Sequence, residues 1–78
     1  MKNYFNVSAI TGKPTGIMSY EYGDDYITIC FRNGSIYTYT LESCGSRHLR
    51  IMKNLADAQN GLNTYLARNK PPFASKEA

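Results

Sequence analysis

From Tyr26 to Arg32 the chain alternates, with Ile27, Ile29 and Phe31 set against Thr28, Cys30 and Arg32. That is the period of a strand with one buried face. Asn33-Gly34 follows, and then a second β-prone run from Ser35 to Leu41. Asn-Gly between two such runs is the strongest short-range sign of a hairpin. Upstream, Ile17 to Tyr22 predicts another strand, ended by Gly23-Asp24-Asp25, and Tyr4 to Ile10 predicts a first one by its β-branched and aromatic content. Thr11 to Gly16, rich in glycine, threonine and proline, predicts the loop between them.

Two registers are open to the hairpin. A two-residue turn at Asn33-Gly34 puts Ile36, Thr38 and Thr40 on the face of Ile27, Ile29 and Phe31, and leaves Tyr37 and Tyr39 on a mixed face. A three-residue loop, Arg32-Asn33-Gly34 with Gly34 left-handed, shifts the pairing by one and turns every side chain over. Ile29 then faces Tyr37 and Ile27 faces Tyr39. One face becomes Ile27, Ile29, Phe31, Tyr37, Tyr39 and Leu41; the other becomes Thr28, Cys30, Arg32, Ile36, Thr38 and Thr40. Only this second register sorts both strands into an apolar and a polar side, so it is preferred.

Beyond Cys44-Gly45 the period changes to that of a helix. With Ser46 as the expected N-cap, Leu49, Met52, Leu55 and Ala56 share one side, and Arg47, Arg50, Lys53, Asn54 and Asp57 take the other. His48 falls on the apolar side, where a hydrogen-bonded packing residue is expected. Asn60-Gly61 interrupts the pattern, Leu62 to Leu66 resumes it briefly, and Pro71-Pro72 ends it. The fold class is therefore α+β. An antiparallel meander of three to four strands carries one main helix and a short second one on its apolar face. Residues 1–72 are expected to form a single compact domain and 73–78 a flexible tail, of which Phe73 could tuck back onto the domain's core.

Charge is uneven along these elements. In residues 1–45, Lys2, Lys13 and Arg32 stand against Glu21, Asp24, Asp25 and Glu42, a balance of −1 within an overall +3. In residues 46–70, Arg47, Arg50, Lys53, Arg68 and Lys70 face Asp57 alone, a balance of +4. A basic half of this kind attracts phosphates through field steering and counterion release.

Catalytic and metal chemistry find little support. Cys30-x13-Cys44-x3-His48 lacks the paired spacing and the fourth ligand of a zinc site. Cys44 and His48 could make an activated thiol, but no third residue is placed to orient the histidine. No apolar run approaches the ~20 residues of a membrane span. The N-terminal residues lack the apolar core of a secretory signal. The expectation is a cytoplasmic protein with reduced thiols, no cofactor and no enzymatic activity.

Ile17-Met18-Ser19-Tyr20-Glu21, Ile27 through Gly34, and Tyr37-Thr38-Tyr39 together resemble the KTSC domain. That small domain is found at the C-terminus of some lysyl-tRNA synthetases and as stand-alone bacterial proteins. The likeness covers residues 15–73. It weakens at Ala56 to Leu62, where the family's serine is absent and one residue is added. The resemblance implies RNA binding, with Tyr37 and Tyr39 as the matching motif positions. Exposed, those rings would stack bases; buried, they would be core. Charge and resemblance together predict a small binding module for RNA or other nucleic acid. Its contacts would be Arg47, Arg50, Lys53, Arg68, Lys70 and Arg32, with Tyr37 and Tyr39. The alternative is a protein-interaction or inhibitor module of a phage or mobile element, anchored by Tyr4, Tyr22 or Tyr26 or by an edge strand.

Overall fold

The computed structural model describes residues 2–3, 16–59 and 61–77. Their strands are β1 (Lys2–Asn3), β2 (Ile17–Tyr22), β3 (Tyr26–Phe31), β4 (Ile36–Thr40) and β5 (Ser75–Glu77), joined after β4 by helices α1 (Leu41–Asp57) and α2 (Leu62–Asn69). The sheet runs β1-β2-β3-β4-β5, and every neighbouring pair is antiparallel. The α+β class is therefore as the sequence predicts. The strand expected over Tyr4 to Ile10 and most of the following loop lie outside the described residues.

The hairpin takes the three-residue loop. Ile27 pairs with Tyr39 and Ile29 with Tyr37, and the Phe31 N–H donates to Ser35 O at 2.8 Å. Gly34 carries φ 95°, the positive value that only glycine adopts without steric cost. The Asn33 side chain accepts the Ser35 N–H at 2.9 Å and fixes the loop further. This register stacks Tyr20, Ile27, Ile29 and Tyr39 on one side of the sheet, where Leu49, Met52 and Ala56 of α1 and Leu62 of α2 close over them. Ile17 completes this core. It stays in register with Phe31 through a bulge that pushes Met18 outward and lets Ser19 pair with Cys30.

Two boundaries depart from expectation. An extra helical turn begins at Leu41, ahead of the helix expected from Ser46, because Thr40 is itself an N-cap. Its hydroxyl accepts the Ser43 N–H at 3.1 Å, and the Ser43 hydroxyl accepts the Thr40 N–H at 2.9 Å. Leu41, assigned to the apolar sheet face by alternation, sits instead in this first turn and is half exposed. The turn then breaks at Gly45, at φ 86° and ψ 161°, and α1 resumes on a new course toward the core. That backbone region is essentially closed to other residues. Nothing lies within 4 Å of a Cβ built there, so the whole penalty of a substitution is conformational. Gly45→Ala is expected to lower stability by ~1–3 kcal/mol, read as a reduced urea midpoint with an unchanged m-value.

The second departure is at the C-terminus. The segment expected to be a flexible tail supplies β5 instead, so the sheet has five strands among the described residues where three to four were predicted. Ser75, Lys76 and Glu77 pair with Thr38, Tyr37 and Ile36, and the Ala74 N–H donates to Thr38 O at 2.7 Å. Backbone pairing makes this strand, with every side chain exposed, so no apolar alternation announces it. The buried Pro71 directs the chain back toward β4.

Candidate nucleic-acid interface

The cations singled out by the sequence fall into three environments. Arg47 and Arg50 project from the exposed side of α1, and Arg68 and Lys70 stand exposed on α2 and at its C-cap. None of these four forms an ion pair among the described residues. Arg32 is exposed in the hairpin loop, where its backbone N–H is held by Gly16 O at 2.8 Å.

Lys53 is different. Its ammonium donates to the Asp24 carbonyl at 3.0 Å and rests 5.3 Å from the centre of the Tyr22 ring. A cation engaged with the β2–β3 turn in this way holds the fold together and is less free for phosphate. Spacing along α1 put it level with Arg50, but its partner is 29 positions distant and no sequence pattern connects the two.

The acid at the C-terminal end of α1 is also engaged. Asp57 accepts the Tyr20 hydroxyl at 2.9 Å and the Tyr22 hydroxyl at 2.5 Å, with the Lys2 ammonium at 3.9 Å. The Tyr22 hydrogen bond, ahead of the one from Tyr20 and the charge of Lys2, holds the Asp57 carboxyl below its ordinary range against the opposing effect of desolvation. Burial first, and then Asp57, pushes the Tyr20 hydroxyl up to about 12. The carboxylate therefore stays ionised and locally compensated, tying α1 to β2, while the exposed arginines keep their field.

A groove of ≈ 480 Å³ runs beside this knot, lined by Tyr22, Asp24, Arg50, Lys53, Asn54 and Asp57 among others. Its charges are of both signs. A second groove, of ≈ 410 Å³, lies between α2 and the sheet and is predominantly apolar, with Leu66, Ala67 and Pro71 beside its aromatic rings. Phe31, Tyr37, Tyr39 and Phe73 line it, with Asn63 and Lys70 at the helical side. Tyr37 meets Phe31 and Phe73 edge to face at 5.2 and 5.0 Å, and the Lys76 ammonium stands 5.4 Å from its ring centre. Tyr37 is half-buried. Tyr39 is buried, and burial pushes its hydroxyl up to about 12, so it forms a wall and offers no ring face for stacking.

The predicted site residues are thus divided. Lys70, Tyr37 and Tyr39 meet at the aromatic groove, while Arg50 and Lys53 line the other. Phe73, Lys76 and Asn63 were not singled out by the sequence. Phe73 carried the one available signal, an aromatic directly after Pro71-Pro72, where an extended chain is turned back.

His48 is half-buried, and its Nδ1 is hydrogen-bonded to the Tyr65 hydroxyl, the packing role expected of it. The Cys44 thiol donates to Thr40 O at 3.3 Å, and burial pushes its pKa up. A raised thiol pKa is the opposite of nucleophile activation. No group of three His, Cys, Asp or Glu among the described residues is placed to hold a metal. Nor is any helix among them long and apolar enough to cross a membrane. No protein-family model matches the chain, and no curated protein or solved structure does.

Proposed function

We propose that this domain is a non-enzymatic cytoplasmic module that binds RNA through the outer surface of its two helices. One observation carries this reading. Arg47, Arg50, Arg68 and Lys70 are all exposed and unpaired among the described residues, while Asp57 is paired with Lys2 and hydrogen-bonded by Tyr20 and Tyr22. Side chains exposed and kept out of intramolecular ion pairs suit a polyanion, since each can neutralise a phosphate and release a counterion. The resemblance to the KTSC domain favours RNA as the polyanion. The tyrosines suited to a protein partner are less available: Tyr22 is engaged with Asp57 and Lys53, Tyr26 is half-buried, and Tyr4 lies outside the described residues.

Titration of the isotopically labelled domain with a structured RNA checks the surface. Amide shifts are expected to concentrate in residues 46–54 and 66–70. Shifts confined to β1 or β5 would overturn the helical surface in favour of an edge-strand partner, and no shifts at low salt would overturn RNA binding itself.

A further inference from the structure

The aromatic groove between α2 and the sheet has a composition that the helical surface does not explain. Phe73 is 47% exposed although it is a large apolar side chain, and its ring stands perpendicular to Tyr37 and to Tyr39, at 5.0 and 6.4 Å between centres. It therefore covers Tyr37 on one side while keeping nearly half its own surface open. Lys70, three positions before it, lines the same groove, and Lys76, three positions after it, stands over Tyr37. Apolar rings alone would accept any flat ligand; the Lys70 ammonium at the helical side selects one that also carries negative charge. Asn63 adds an amide that donates and accepts at once, the complement of a base edge. The volume of ≈ 410 Å³ lies in the ordinary range for sites that take one small ligand unit.

We propose that this groove is a subsite for one unpaired nucleotide, its base stacked on the half-exposed Phe73 ring and its phosphate beside Lys70. The inference rests on the reading of the domain as an RNA-binding module and extends it. Duplex or folded RNA docks by its phosphates on α1 and α2, and a single-stranded nucleotide enters the groove at the end of α2. Single strands are recognised in this manner generally, by base stacking on aromatic side chains within a basic track.

The chain contains no tryptophan, so Phe73→Trp creates a sole indole at the groove, excited selectively at wavelengths where the seven tyrosines do not absorb. Its emission is expected to be quenched saturably by a short single-stranded RNA and not by a blunt duplex of the same sequence. Phe73→Ala is expected to weaken single-strand binding roughly 5- to 150-fold, the range for losing one stacked base. Duplex affinity and the salt dependence should stay unchanged. Lys70→Gln should instead reduce the single-strand salt slope by ~0.7, the contribution of one phosphate contact. Because Phe73 is half exposed, its truncation leaves the core intact, and Phe73→Trp should bind as the parent does. If Phe73→Ala binds the single strand as tightly as the parent, the subsite is wrong and the helical surface stands. If the parent binds neither RNA, both readings fall. A short acidic peptide containing tyrosine that quenches Phe73→Trp as strongly as RNA would assign the groove to a protein partner and overturn the proposal.

Discussion

Tyr39→Ala is expected to destabilise the domain by ~3–5 kcal/mol, the usual cost of removing a buried aromatic ring. Tyr39 is 5% exposed and pairs with Ile27 at the centre of the sheet beneath α1. A chain of this length has about 4–12 kcal/mol of total stability. The substitution therefore removes a large fraction of it and leaves a domain partly unfolded at physiological temperature. Its neighbour Thr38 faces the other side, where its hydroxyl meets that of Thr28 at 3.2 Å. Thr38→Ala should cost only ~1 kcal/mol, the net value of one hydrogen bond. Urea unfolding followed by circular dichroism compares the two directly. The opposite order would mean that the hairpin adopts the two-residue turn, with every side chain on the other face.

Joint replacement Arg47→Glu and Arg50→Glu is expected to weaken RNA binding by on the order of 100-fold at ~50 mM salt. Each phosphate contact releases a fraction of a counterion, worth roughly tenfold in affinity at that salt concentration, and two contacts are lost. Both side chains are exposed and neither is ion-paired among the described residues, so the fold should be unaffected. Surface substitutions of this kind usually change stability by no more than ~0.5 kcal/mol. Lys53 is not equivalent to these two arginines. Reversing it would place a carboxylate against the Asp24 carbonyl and the Tyr22 ring, and a loss of binding could then follow from a damaged fold.

The parts of this structure readable from the chain are those in which a local pattern coincides with burial. Ile27, Ile29 and Phe31 alternate because one face of β3 is covered, and Asn33-Gly34 supplies the positive φ that the loop requires, so strand, turn and register were all visible. Leu49, Met52 and Ala56 recur at helical spacing for the same reason. Where backbone pairing or a long-range polar contact decides the structure, the chain is silent. β5 is Ser-Lys-Glu, exposed throughout, and exists because β4 offers it an unpaired edge. The Thr40 cap leaves no plain signature in the chain, because serine, and not glutamate or glutamine, occupies the reciprocal position. Asp57 finds Tyr20 and Tyr22 across 37 and 35 positions. The basic half was plain in the composition. Its division into free arginines and an anchored Lys53 required the position of the β2–β3 turn.

The proposed function is tested most directly by fluorescence anisotropy of a labelled structured RNA with the parent domain and the Arg47→Glu, Arg50→Glu variant, from ~50 to ~200 mM salt. Four phosphate contacts by Arg47, Arg50, Arg68 and Lys70 predict a parent log–log slope of about −3, and the two that remain in the variant predict about −1.5. Equal slopes for the two proteins would contradict the assignment of the contacts to α1, and an absence of parent binding at the lowest salt would contradict RNA recognition altogether.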